Sequence, residues 1–280
     1  MLMLIGSITV LSVVLAAVAG ICADAFSGLT WLYVLPLSFV GSFLVLFVLA
    51  FAFSWLICAV VRMDQPQETD SPFYRAVVEL YVEAVMTVLR MRVRTQGMEK
   101  VPKTGRFMLV CNHLNDLDPV VLLGKFKKKQ LAFISKRENT TMFLVGKLMH
   151  KLLCQLVNRE NDREALKTIL KCIEIIKENK ASIAVFPEGY TSRDHKFHTF
   201  RSGVFKIAQK TKVPIVVCTI TNTHKVFGNI KRLKPTDIDL HVVAVVQPEE
   251  FAGITTVELG DRIHAMMAQD LGDEYREENT

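Results

Sequence analysis

The chain has 280 residues, half of them apolar and 22% charged, with a formal net charge of +6. Apolar content this high excludes a disordered chain, and six cysteines scattered without a CxxC pair argue against a secreted disulfide scaffold. The charge is unevenly placed: residues 1–61 hold one side chain of the Asp, Glu, Lys, Arg or His type, Asp24, so all 34 Lys and Arg and 27 of the 28 Asp and Glu follow, at a net +7.

Met1 to Cys22 is an apolar run long enough to cross a hydrocarbon core of ~30 Å. Trp31 to Val61 is longer still, and Pro36 and Gly41 predict a tilt or kink within it. Between them, Ala23 to Gly28 reads as a short polar turn. No basic residue precedes Arg62, whereas a cleaved signal peptide begins with basic residues. Residues 1–65 are therefore expected to form a membrane-anchoring transmembrane helical hairpin; a signal-anchor followed by a buried core helix is the alternative. Arg62, Arg75, Arg90, Arg92 and Arg94 follow the second span, and basic residues stay on the cytoplasmic side. Residues 66–280 are expected to be cytoplasmic. Nothing after residue 61 has ~20 uncharged apolar residues in a row, which argues against a polytopic channel or transporter.

Residues 71–91 read as a helix with Ser71 as N-cap and Pro72 at its first position. Its broad apolar face, from Val77 to Leu89, suits the bilayer surface or the domain core equally. From about residue 105 short β-branched runs alternate with helical patterns. Strands are expected at Phe107–Cys111, Leu131–Ser135, Ser182–Phe186, Ile215–Thr221 and Leu240–Val246, and helices near 139–153, 162–179, 203–211 and 255–270. This alternation predicts an α/β domain with a central, largely parallel sheet flanked by helices.

In such sheets functional groups collect in the loops after the strands. Two of these loops are dense in polar residues: Cys111-Asn112-His113-Leu114-Asn115-Asp116-Leu117-Asp118-Pro119 and Phe186-Pro187-Glu188-Gly189-Tyr190-Thr191-Ser192-Arg193-Asp194. In the first, a turn would bring Asp118 onto one nitrogen of His113, leaving the other free as a base. Taken alone, the same loop reads as a helix start, with Asp116 or Asp118 as N-cap and Pro119 at the first position. In the second, Gly189 permits positive φ, and Thr191, Ser192 and Arg193 suit a phosphate. Alone it is an ordinary Pro-Gly loop with a solvated arginine. HExxH, P-loop, GxSxG and GxGxxG motifs are absent. Cys111 reads as a small core residue, and the His and Cys spacing predicts no metal site.

Together the loops resemble the glycerolipid acyltransferases, especially the lysophosphatidate acyltransferases. Asn112-His113-x4-Asp118 and Phe186-Pro187-Glu188-Gly189 carry the resemblance. Ser135-Lys136-Arg137-Glu138, Gly146 and Val157-Asn158-Arg159 resemble the family's middle block. Phe200 to Ala208 and Val213-Pro214-Ile215-Val216-Val217 resemble its final blocks. The resemblance covers residues 95–225 and implies transfer of a fatty acyl group from an acyl-CoA or acyl carrier protein thioester to a glycerol hydroxyl. It implies His113 as general base, Asp118 as its orienting partner, and no cofactor, metal or covalent acyl-enzyme. Glu188 and Gly189 would shape the acceptor site, and Arg193, Arg159 and Lys136 would hold the acceptor phosphate. The family commonly continues FPEG with Thr-Arg-Ser, so Thr191 stands at the usual Arg position.

Expected partners are membrane lipids, a lysophospholipid acceptor and the acyl donor. Gly124 to Lys129 is a basic run that reads as a solvated loop or a contact for anionic lipid, carrier protein or coenzyme A phosphates. No nucleic-acid motif accompanies the charge. Alternative readings are another acceptor, such as glycerol-3-phosphate, another lysophospholipid or an amino-acid lipid, then a non-catalytic lipid-binding protein, and a hydrolase in which His113 activates water.

Overall fold

The computed structural model describes residues 4–22, 29–158, 161–192 and 194–275. The expected turn Ala23 to Gly28, with Asp24, lies outside the described residues. The chain divides into two compact units, Met1–Asp64 and Gln65–Thr280.

In the first unit, helix α1 (Leu4–Cys22) packs along helix α2 (Trp31–Ala59). Ser42 Oγ, on α2, donates to the carbonyl of Ser38 one turn earlier at 2.7 Å and reaches the carbonyl of Ser12 on α1 at 3.4 Å. Pro36 lies inside α2 without ending it. Leu44, Phe47, Phe51 and Trp55 of α2 are exposed. Among the described residues α2 is the one helix long and apolar enough to cross a membrane, and Ile8–Cys22 is a shorter apolar segment. At 1.5 Å per residue α2 spans about 44 Å, more than a ~30 Å core requires.

The second unit begins with helix α3 (Pro72–Val88), where Ser71 Oγ accepts from the Tyr74 N–H and Pro72 takes the first turn. Val78 and Val82 are buried with Leu152, so α3 packs on the domain core. The elements that follow are β1 (Met91–Gln96), β2 (Met108–Cys111), α4 (Asp118–Lys125), β3 (Leu131–Lys136), α5 (Phe143–Lys151), β4 (Gln155–Val157), α6 (Asp162–Lys177), β5 (Ser182–Val185), α7 (Lys206–Thr211), β6 (Ile215–Ile220), α8 (Val226–Lys231), β7 (Thr236–Val246) and α9 (Thr256–Leu271). Asn161 caps α6 by accepting from the Glu164 N–H, and Thr255 with Glu258 forms a reciprocal capping box on α9.

The seven strands form one sheet in the order β1-β7-β6-β2-β5-β3-β4. Every neighbouring pair is parallel except β6 with β7. Side chains alternate across the sheet. Met108, Val110, Ile183, Val185, Ile215 and Val217 face α6, α7 and α9, while Leu109, Cys111, Ala184, Val216 and Cys218 face the layer containing α4. Both faces are covered, which is why the central strands read as continuous apolar runs.

Three features differ from the sequence reading. β1 and β4 are sheet-edge strands that the apolar pattern does not mark. The segment 137–141 is a 3-10 turn preceding α5, and Ser202–Phe205 is a 3-10 turn preceding α7, where continuous helices were expected. β7 begins at Thr236, four residues before the expected start, because it pairs with β1 on one side and β6 on the other.

Candidate active site

β2 and β5 are adjacent parallel strands, with Val110 opposite Val185. Their following loops therefore leave the same edge near the middle of the sheet. Asn112, fully buried, opens the first loop and bridges to β6: its Nδ2 donates to the Ile220 carbonyl at 2.9 Å, and the Ile220 N–H donates to its Oδ1 at 2.8 Å. The loop thus leaves β2 in a fixed direction.

The backbone of His113 is tied to the second loop on both sides. Its N–H donates to Glu188 Oε1 at 2.8 Å, and its carbonyl accepts from the Ser192 N–H at 2.9 Å. Glu188 Oε2 accepts from the His198 N–H at 3.1 Å. Glu188 is 1% exposed, and burial, only partly opposed by those two N–H bonds, pushes its carboxyl up to about 7. Gly189 turns the loop at φ +84° beneath the Arg201 side chain.

The His113 imidazole meets Asp118 through Nδ1, 2.9 Å from Oδ2. Asp118 is the first residue of α4, closed to solvent, and takes two more donors: the Asn115 N–H on Oδ2 at 2.7 Å and the Thr223 hydroxyl on Oδ1 at 2.5 Å. Asp118 is therefore not the helix cap; Leu117 occupies that position without a side-chain cap bond. Because the ionised carboxylate only accepts, it assigns the imidazole proton to Nδ1 and leaves Nε2 as the acceptor. Thr191 Oγ1 lies 3.0 Å from that Nε2 and 3.3 Å from Asp116 Oδ1. The Phe186 ring stacks on the imidazole at 4.2 Å between centroids, and Phe133 stacks on Phe186. The arrangement is a base with a fixed tautomer, its free nitrogen presented to a hydroxyl.

Residues 92–221 match the family model described as Acyltransferase. Over those residues, fewer than half of the chain, it is similar to the acyltransferases. It is 31% identical over 181 residues to a probable 1-acyl-sn-glycerol-3-phosphate acyltransferase of Mycoplasma pneumoniae, an alignment covering 62% of this chain and 64% of that protein. A chloroplastic 1-acyl-sn-glycerol-3-phosphate acyltransferase of Brassica napus is 33% identical over 132 residues, covering 47% of this chain and 38% of that one. The chain thus spans less than two thirds of the length of these relatives. The crystal structure of the 1-acyl-sn-glycerophosphate acyltransferase PlsC from Thermotoga maritima superposes with a TM-score of 0.62 at 23% identity, covering 80% of this chain and 87% of that one. That likeness is one of fold.

The two loops meet through His113, Asp118, Glu188 and Thr191. Lys136 ends β3 on the same edge of the sheet, with its side chain exposed. Arg159 and Arg193 lie outside the described residues. Ser192 is buried and donates to Asp194 Oδ1 at 2.6 Å, where His198 Nε2 also lies at 2.9 Å. Burial works against the Asp194 charge, but the bonds from Ser192, His198 and the Lys196 N–H hold its carboxyl well below the ordinary range. Cys111 is fully buried, and burial raises its thiol well above the usual range, which removes it as a nucleophile. In the basic run, Lys127 pairs with Glu83, and Lys129 Nζ donates to the Pro102 and Lys103 carbonyls at 2.5 and 3.1 Å. Among the described residues no three His, Cys, Asp or Glu are grouped to hold a metal ion.

Thr223 is the member of this constellation that the loop motifs do not reveal. It follows β6 in a short 3-10 turn entered through Asn222 at φ +65°. Its one sequence signal is the left-handed preference of Asn at a strand end.

Proposed function

We propose that this protein is a membrane-bound O-acyltransferase that moves a fatty acyl group from acyl-CoA or acyl carrier protein to the free hydroxyl of lysophosphatidate, giving phosphatidate. The observation that carries this reading is the Asp118–His113 pair with Nε2 turned toward a hydroxyl oxygen. In the transfer step Nε2 accepts the acceptor's hydroxyl proton as its oxygen attacks the thioester carbonyl. The tetrahedral intermediate collapses by expelling the thiolate, a good leaving group, which takes up the proton. Asp118 stabilises the imidazolium formed in between. No metal or other cofactor is needed for these steps. Lys136, Arg159 and Arg193 supply the positive charge for the acceptor phosphate.

Membrane attachment belongs to the same reading. Acceptor and product are lipids, and α2 has the length and apolarity of a span. The Arg residues that follow it favour the cytoplasmic face for residues 66–280. A second reading keeps the reaction and changes the acceptor, because Thr191 stands where a phosphate-binding Arg is usual in the family resemblance.

The test is a donor and acceptor panel on purified membranes, comparing the parent with His113→Ala. The reading requires thioester-dependent phosphatidate formation that falls about 10²- to 10⁴-fold in the variant. Equal activity in the two removes His113 from the chemistry. Preference for another hydroxyl acceptor establishes the second reading.

A further inference from the structure

The segments that follow β3 and β4 leave the same edge of the sheet as the two motif loops. β5, β3 and β4 run parallel, so the ends of β3 at Lys136 and of β4 at Val157 share the edge that carries the loops of His113 and Glu188. Residues 136–171 hold eight Lys and Arg against four Asp and Glu, a net +4 of the chain's +6. The basic run Gly124 to Lys129 is engaged elsewhere, with Lys127 on Glu83 and Lys129 on two backbone carbonyls.

Exposed apolar side chains stand within this basic segment. α5 has two faces. Leu148 and, just after the helix, Leu152 pack with Val78 and Val82 of α3. Gly146 lies so close to Thr140 that a Cβ would meet the Thr140 carbonyl oxygen at 2.6 Å, so the helix start is clamped to the 3-10 turn before it. From that clamped start Met142, Phe143 and Val145 are 57%, 41% and 40% exposed. Lys147 Nζ stands 5.5 Å from the Phe143 ring centroid. On α6, Leu166 and Leu170 lie one turn apart and are exposed on the same face as Arg163 and Lys167. Arg137 joins the two pieces. Its Nη2 is 3.7 Å from Glu164 Oε2, and with Glu164 and Lys167 it lines a cavity of about 330 Å³.

Apolar side chains ringed by Lys and Arg suit a lipid interface, where the apolar groups enter the acyl boundary and the cations meet anionic headgroups. We propose that Met142 to Val145 and the exposed face of α6 at Leu166 and Leu170 form a docking surface for an anionic phospholipid bilayer. Arg137, Lys147, Arg163 and Lys167 supply its contacts to lipid phosphates. The proposal rests on the lipid acceptor of the proposed function, and adds the surface that turns the loop-bearing edge of the sheet toward that lipid.

The experiment places full-length protein carrying a nitroxide on Met142→Cys, or on Val145→Cys, in nanodiscs of phosphatidylglycerol and phosphatidylcholine. Electron paramagnetic resonance reads collisions of the label with oxygen, which partitions into lipid, and with a nickel chelate, which stays in water. Val257→Cys is the reference: it is 55% exposed near the start of α9, which follows the end of β7 opposite the start of β6, toward the other edge of the sheet. Protein without an added cysteine gives the background. The expected result is oxygen contact without nickel contact at 142 and 145, and nickel contact at 257. Arg137→Gln with Lys167→Gln should lower the docked-to-undocked ratio on the order of five-fold per charge. Nickel contact at 142 and 145 equal to that at 257 overturns the proposal. So does an unchanged label in the charge variant, which would mean a contact indifferent to headgroup charge. Exclusion of both probes also overturns it, by marking a protein partner or a second copy. The same nanodiscs are assayed for transfer to lysophosphatidate and the other acceptors. An active protein whose label stays in water defeats the docking surface alone, whereas a docked label without transfer to any acceptor defeats the proposed function alone.

Discussion

The Thr223 hydroxyl donates to Oδ1 of Asp118 at 2.5 Å, and both side chains are closed to solvent. Asp118 Oδ2 is shared by His113 and Asn115, so Thr223 alone among the described contacts serves the second oxygen. Thr223→Val keeps the shape and removes the donor. A buried charged acceptor left short of a partner costs about 1–3 kcal/mol. The expected outcome is a kcat lower by about ten-fold or more with KM nearly unchanged, restored by Thr223→Ser. A loss confined to KM refutes the positioning role.

Asp118→Asn tests the tautomer. An amide has one oxygen and one NH2 in place of two accepting oxygens, so it opposes a donor from His113, Asn115 or Thr223. Thioester-dependent transfer is expected to fall about 10²- to 10⁴-fold. Circular dichroism of the variant should match the parent; full activity would remove the Asp118–His113 bond from the mechanism.

Glu188 makes stability depend on pH. Its folded-state value, about 7, lies above the ordinary 4.5. Between these values the folded chain binds more protons than the unfolded one, so stability present below 4.5 is lost as pH rises to about 7. The loss from this group is on the order of 3 kcal/mol at most. Glu188→Gln abolishes that slope but sets an NH2 against the N–H of His113 or His198, costing about 1–3 kcal/mol at low pH. Urea unfolding of both proteins at pH 5 and pH 8 measures the two effects; an unchanged slope in the variant assigns the dependence to another group.

Gly189→Ala meets two obstacles. A Cβ would lie 2.9 Å from Arg201 Cδ, and φ is +84°. The Arg side chain can shift, but the backbone cost of about 1 kcal/mol cannot be relieved that way. Arg201→Ala should therefore recover only part of the destabilisation in a double-mutant cycle followed by thermal unfolding. Full recovery would assign the whole effect to crowding.

Asn112→Ala strips both bridges to Ile220 in the buried centre of the sheet. Two buried backbone groups lose partners, for a combined loss on the order of 2–5 kcal/mol. A drop below 1 kcal/mol in urea unfolding would mean that water replaces the amide.

The sheet's centre was legible because both faces are covered, which turns β2, β5 and β6 into apolar runs. The edges were not. β1 is Met-Arg-Val-Arg-Thr-Gln with Met91 alone buried, and it is held by one neighbour. β4 has three residues, too few to show a period. The reversal of β7 against β6 was also invisible, since local pattern carries strand character but not direction. Within the site, His113, Asp118 and Glu188 stand in compact motifs. Thr223 reaches Asp118 across 105 positions of chain, and only the tertiary fold records that meeting. The helix 71–91 was legible to within three residues at its C-terminal end because Ser71 and Pro72 mark its start.

The sheet order also sets the sequence in which the molecule can be assembled. β1 pairs only with β7 among the described strands, joining Met91 to Thr236 and Gln96 to His241. During synthesis β1 leaves the ribosome roughly 145 residues before that partner exists, and at ~5–20 residues per second it waits several seconds or more with its edge unpaired. Asp118 likewise precedes the Thr223 hydroxyl that completes its shell. A nascent chain stopped between β5 and β6 therefore carries both motif loops yet lacks the donor on Oδ1 and the bridge from Asn112, so the geometry around His113 arises only late in translation.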